Sequence, residues 1–126
     1  MGIRTRDFPT KAQIQRGNRV NFKVFVPSTR EKSIKIHSSA FRKRIVGTTT
    51  FLNRLFQGAT MTQSVGSYLD KKRRVIQENV AVISVSTTTE LYNRFDVRVR
   101  DYLKMKKQHW GQESMAYEFE GNLVFI

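Results

Sequence analysis

The sequence predicts an α+β domain in which one antiparallel sheet carries two helices on a single face. Three observations lead there. Short segments alternate apolar and polar residues with a period of two, two longer segments repeat at helical spacing, and together they run in the order β-α-β-β-α-β. With 126 residues, 39% of them apolar, the chain can bury one core and has no room for a second.

Residues 1–18 are polar, basic and aperiodic, punctuated by Pro9 and Gly17, and read as an N-terminal arm ahead of a domain spanning 19–126. In "RVNFKVFVP", Val20, Phe22, Val24 and Val26 alternate with Asn21, Lys23 and Phe25, a strand that Pro27 stops. "STREKSIKIH" reads as a connector. From Ser39 onward, Phe41, Ile45, Leu52, Leu55 and Phe56 fall near one helical face, with Ser39 as N-cap and Gly58 as stop. The "GTTT" at 47–50 has poor helix propensity, so packing must hold the helix there or it breaks.

"ATMTQSVGSYL" and "VIQENVAVISVS" form a hairpin joined by Asp70 to Arg74. The second helix takes its cap from Thr88 or Thr89 and its stripe from Leu91, Phe95, Val99, Tyr102 and Leu103. Lys104, Lys106 and Lys107 complement its dipole, and Gly111 ends it. "ESMAYEFE" alternates as the last main strand, and "LVFI" after the "GN" turn adds a short one.

This order is that of the ferredoxin-like split βαβ, whose first and third strands lie at the centre of the sheet. The face away from the helices should then be polar. "VAVISV" at 80–85 is instead apolar on both sides, and Phe25 adds an aromatic to the uncovered face. Phe25, Val80 and Val82 are therefore expected to form an oligomer interface that a second copy covers.

Chemistry is harder to find. There is no cysteine, so disulfides, thiol nucleophiles and thiolate metal sites are excluded. His37 and His109 alone do not make a zinc site, "GTTTFLNR" has no lysine before its hydroxyls, and no "GxSxG" elbow occurs. Glu78, Glu113, Glu118 and Glu120 are the carboxylates placed where they could act as acid and base or hold magnesium. The simpler reading pairs Glu78 across the hairpin with Lys71, Lys72 or Arg73, has Gln112 and Glu113 capping or pairing locally, and puts Glu118 and Glu120 on a solvated or interface edge. No catalytic residue, metal ligand or cofactor is assigned.

Charge is the outlying property, at +13 net. Residues 1–46 hold twelve Lys and Arg against two acids, and residues 47–126 hold eleven against eight. Three clusters emerge: the arm with Arg4, Arg6, Lys11, Arg16 and Arg19; the run Arg42, Lys43 and Arg44; and the hairpin tip Lys71, Lys72, Arg73 and Arg74. Lysines at a tip can blunt a sheet edge, stand idle in solvent, or clamp phosphates. Three clusters in one small domain favour the clamp, directed at DNA, RNA or an acidic protein. No run of 18 apolar residues and no apolar leader segment occurs, so a cytoplasmic protein away from membranes is expected.

The predicted order resembles RNA-recognition modules in fold, but the third strand "ENVAVISVS" has no aromatic for bases to stack on, and "RRVIQENV" lacks their signature. It is similar, too, to the small nuclease subunit of CRISPR adaptation complexes, which places an Asp at the end of its first strand where this chain has "VPST". "FQGATMTQSVGSYLD", "VIQENVAVISVST" and "YLKMKKQHWGQESMAYEF" resemble small uncharacterised ferredoxin-like families and the layout of PII-type signalling proteins. The latter likeness implies trimers that bind effectors beside the loop between strands two and three. The sequence thus leads to a non-enzymatic oligomeric binding protein for nucleic acid or another polyanion. A PII-like regulator of a phosphorylated small molecule or acidic partner, and a small metal-dependent hydrolase or nuclease, stand as alternatives.

Overall fold

The computed structural model describes residues 19–31 and 34–126, so the expected arm, with Arg4, Arg6, Lys11 and Arg16, lies outside the described residues. The elements are β1 (Arg19–Pro27), β2 (Thr29–Arg30), β3 (Ile34–Lys35), α1 (Ser38–Phe56), β4 (Thr60–Leu69), β5 (Val75–Thr88), α2 (Thr89–His109), β6 (Ala116–Phe119) and β7 (Asn122–Phe125). They build a mixed α+β fold around a five-stranded antiparallel sheet ordered β4-β5-β1-β6-β7. No helix among the described residues is long and apolar enough to cross a membrane.

The alternation in β1 sets the two faces. Val20, Phe22, Val24 and Val26 are buried, in register with Thr87, Val85, Ile83 and Ala81 of β5. Leu52, Leu55 and Phe56 of α1 and Tyr92, Val99 and Leu103 of α2 close over them. Phe22 sits at the junction, its ring 5.1 Å from Phe56 and 5.3 Å from Tyr92. Burial of a side chain of this size contributes about 1.5–3 kcal/mol, so the helices are held by packing more than by propensity.

That packing answers the question posed by "GTTT". The helix runs through it unbroken because Thr48 is fully buried and its hydroxyl meets the Tyr102 hydroxyl at 3.1 Å, while Phe51 stacks on the Tyr102 ring at 4.0 Å. The ends of α1 differ from expectation. His37, not Ser39, is the N-cap: its Nδ1 accepts from the Ser39 backbone N–H at 3.2 Å. Gln57, in the left-handed region at φ 63°, closes the other end ahead of Gly58. α2 begins as expected, with Thr88 Oγ1 accepting from the Leu91 N–H at 3.1 Å.

The expected connector at 28–37 is structured. β2 and β3 pair Thr29 with Lys35 and Arg30 with Ile34, a small ear beside the main sheet. Its Glu31 N–H donates to the Gly111 carbonyl at 2.8 Å, tying the ear to the end of α2. Gly111 is required there: its φ is +61°, and a Cβ would lie 3.4 Å from the Glu31 backbone nitrogen.

The face away from the helices is uncovered by any described residue. Phe25, Val80 and Val82 lie half-buried at its centre, with Leu123 and Phe125 of β7 exposed beside them. Lys23 and Glu118 pair on the same face at 3.6 Å, marking its polar end.

Candidate active site

β1 and β5 are of unequal length, and the site lies where they part. β1 leaves the sheet at Pro27, opposite Val80, whereas β5 begins five residues earlier at Val75. The edge of β5 around Glu78 therefore has β4 on one side only. On the other side the ear fills in, and the buried Thr29 hydroxyl donates to Glu78 Oε2 at 3.2 Å.

Glu78 lines several clefts, and two of them matter here. The first, about 450 Å³ on the uncovered sheet face, has apolar walls from Phe25, Pro27, Val80, Leu123 and Phe125. The second, about 350 Å³, is polar and is lined by Tyr68, Glu113 and Ser114 with Thr29 and Gln112. Glu78, Gln112 and Ser114 belong to both. Gly66 faces Glu78 across the β4–β5 ladder, so the β4 residue directly opposite the glutamate brings no side chain. The result is an apolar slot ending in a carboxylate. Such a shape suits a ligand with a flat or greasy body and a cationic end.

The ear is locked in place by Arg44. Its Nη1 donates to the carbonyls of Pro27 and Thr29, each at 2.8 Å, and its guanidinium stands 5.1 Å over the Trp110 ring. Partial burial draws its pKa below the usual guanidinium value. Gln112 Nε2 donates to the Thr29 carbonyl at 2.6 Å and to the Trp110 carbonyl at 3.0 Å.

The basic residues singled out from sequence do not converge. Arg44 is engaged inside the fold, whereas Arg42 and Lys43 are exposed on α1. Arg19 donates to the Ser86 carbonyl at 3.0 Å, at the far end of β5 from the hairpin tip. The length of β5 puts roughly 40 Å between Arg19 and that tip. At the tip, Arg74 pairs with Asp70 at 2.8 Å, and Lys71, Lys72 and Arg73 are exposed. Hydrogen bonds from the Arg74 backbone, then from its side chain and the Lys72 N–H, hold the Asp70 carboxyl below the usual range. Glu78 does not pair with the tip. It lies four residue steps from Arg74 along the strand, about 13 Å.

Among the described residues no group of three or more His, Asp or Glu could hold a metal ion. Sequence reasoning had noticed Glu78, Gln112 and Glu113 but missed Thr29, Gly66, Tyr68 and Ser114. The five-residue turn at 70–74 carried the missing signal, since it sets the register that places Gly66 opposite Glu78.

No protein-family model and no curated protein matches the sequence. Two solved structures match the fold. One is a phage S-adenosylmethionine lyase in complex with S-methyl-5'-thioadenosine, with TM-score 0.60 and 17% identity over 87% of this chain and 90% of that one. The other is a phage S-adenosylmethionine lyase in its apo state, with TM-score 0.58 and 17% identity over 85% of this chain and 87% of that one. At this identity the likeness shows the fold.

The comparison corrects the expectation of a non-enzymatic polyanion-binding protein. The structures that share this fold over almost their whole length are those of an enzyme, and no PII-type protein, nuclease or nucleic-acid-binding module is among them. The physical reason for the error is the separation just described: the cations look clustered in sequence, but they are spread over different elements or used within the fold.

Proposed function

We propose that this chain is a lyase that cleaves S-adenosylmethionine and releases S-methyl-5'-thioadenosine, working in the cleft that ends at Glu78. The fold is read as a ferredoxin-like split βαβ with the β2–β3 ear and β7 added to it. The observation that carries the proposal is the apolar slot closed by a carboxylate, on a fold whose solved counterpart is a lyase holding the thioether.

The substrate carries a sulfonium between a nucleoside and a four-carbon amino-acid end with an ammonium. A lyase breaks the bond from sulfur to that four-carbon end without water. Sulfur keeps the electron pair and departs as a neutral thioether. The remnant either closes on its own carboxylate or gives up a proton, to solvent or a nearby carboxylate, from the carbon adjacent to the one that bore sulfur.

Charge at sulfur disappears along either route. Walls built from Phe25, Val80, Leu123 and Phe125 solvate the sulfonium poorly and the emerging thioether well, which lowers the barrier. Glu78 is assigned the ammonium of the four-carbon end, with Tyr68, Glu113 and Ser114 around it. This keeps an anion from stabilising the sulfonium itself.

Incubation with S-adenosylmethionine and chromatography for the thioether tests this reading. The wild type should release it, and Glu78→Gln should lower kcat/KM by a factor on the order of 100. Absence of turnover, together with no thermal shift on adding the thioether, would refute the assignment.

The residues that wall the cleft also support self-association as a second reading, in which a partner copy would border the cleft. Phe125 and Leu123 are more than half exposed next to Phe25, Val80 and Val82, an apolar patch that a lone copy would leave wet.

A further inference from the structure

Glu78 has only one protein donor among the described residues, the Thr29 hydroxyl on Oε2, and none on Oε1. Thr29 is 3% exposed and is itself immobilised. Its carbonyl accepts from both Arg44 and Gln112, so two side chains from separate elements fix its backbone. The neighbouring Gly111 carbonyl anchors the same ear through Glu31. Those bonds fix the backbone, which any residue at 29 would offer; what the threonine itself adds is the hydroxyl on Glu78 Oε2.

We infer that Thr29 is a positioning residue for Glu78: its hydroxyl holds one carboxylate oxygen so that the other is aimed at the cationic end of the substrate. This inference rests on the assignment of Glu78 to the active site. A free glutamate samples several rotamers, and misplacement of a binding group by an ångström can cost up to about 100-fold in rate. A hydrogen bond of 3.2 Å from a buried donor restricts that freedom at the side chain's far end. Arg44 and Gln112 act one step further back, by making the donor immobile.

The role predicts a division between ligands. S-methyl-5'-thioadenosine has no ammonium and occupies the apolar part of the cleft, so its binding should not depend on how Glu78 is oriented. S-adenosylmethionine presents the cation, so its turnover should.

The test uses the whole chain with three substitutions, Thr29→Val, Thr29→Ser and Glu78→Gln. Thr29→Val should lower kcat/KM for S-adenosylmethionine by about 10-fold, while thioether binding by calorimetry stays within about twofold of wild type. Thr29→Ser, which keeps the hydroxyl, should recover most of the rate. Equal activity of the valine and serine variants would overturn the inference. So would a valine variant that loses thioether binding and rate together, since that marks a structural role. If Glu78→Gln is impaired and Thr29→Val is not, only the positioning role falls. If Glu78→Gln turns over like wild type, the site assignment falls and the inference with it.

Discussion

Gly66 offers a way to separate stability from activity at one position. It lies in mid-strand, in register with Glu78, without a left-handed backbone, and a Cβ there would stand 3.7 Å from Val80 Cγ2, an ordinary contact. The fold therefore has no need of glycine at this point. Alanine should relieve the entropic cost of glycine in a strand, about 0.5–1 kcal/mol. For a domain of this size that raises Tm by about 2–5 °C. Valine, better suited to a pleated surface, should do at least as well. The cleft responds in the other direction. One methyl is small against about 450 Å³, but the branched side chain of valine stands in front of the Glu78 carboxylate. Gly66→Ala should keep turnover within a few-fold of wild type, whereas Gly66→Val should lower kcat/KM by about 10-fold or more. Calorimetric melting and thioether release measure the two effects on the same samples. A lowered Tm in either variant, or a valine variant with wild-type turnover, would refute the reasoning.

Two further outcomes are expected. If the open face joins copies of the chain, light scattering should give a mass above that of one chain, and Phe125→Glu should reduce it, because Phe125 is 65% exposed at the rim of the apolar patch. A wild type that remains a single chain at every concentration would remove this reading. At alkaline pH, burial, with a lesser contribution from Tyr117, pushes the Tyr92 phenol up from 10.0 to about 12. The folded state then holds that proton more tightly than the unfolded chain, so the stabilisation is complete below pH 10 and is lost as pH rises towards about 12. Tyr92→Phe should flatten the fall of Tm across that window, and an equally steep fall in the variant would contradict the sign.

Much of the fold was legible because its signals are local. The period of two in Val20, Phe22, Val24 and Val26 needs no knowledge of partners, and the Thr88 cap and the Leu91-to-Leu103 stripe declare α2 within one segment. The apolar character of "VAVISV" on both sides was equally plain, and Val80 and Val82 do lie half-buried on the uncovered face. The β2–β3 ear was missed because two-residue strands are too short to show a period, and its stability comes from Arg44 and Gly111, distant in sequence. The site was missed for a related reason. Glu78 drew attention but was assigned to the nearest cations in sequence, when its partner Thr29 lies 49 positions away.

Charge counts misled because they weigh every cation alike. Arg44 is spent on two backbone carbonyls and a tryptophan ring, and Arg74 on the turn that holds the hairpin closed. What remains is divided among different elements: Arg42 and Lys43 on α1, and Lys71, Lys72 and Arg73 at the hairpin tip. The place able to select a ligand arises from a mismatch of lengths instead: β5 runs on past the point where Pro27 turns β1 out of the sheet. A strand edge left open in this way must find new hydrogen-bond partners or lose them to water. Here the ear returns to the gap, and in filling it brings an immobile hydroxyl to the one carboxylate that both clefts share. The same feature that completes the fold thereby sets the geometry on which the proposed chemistry depends.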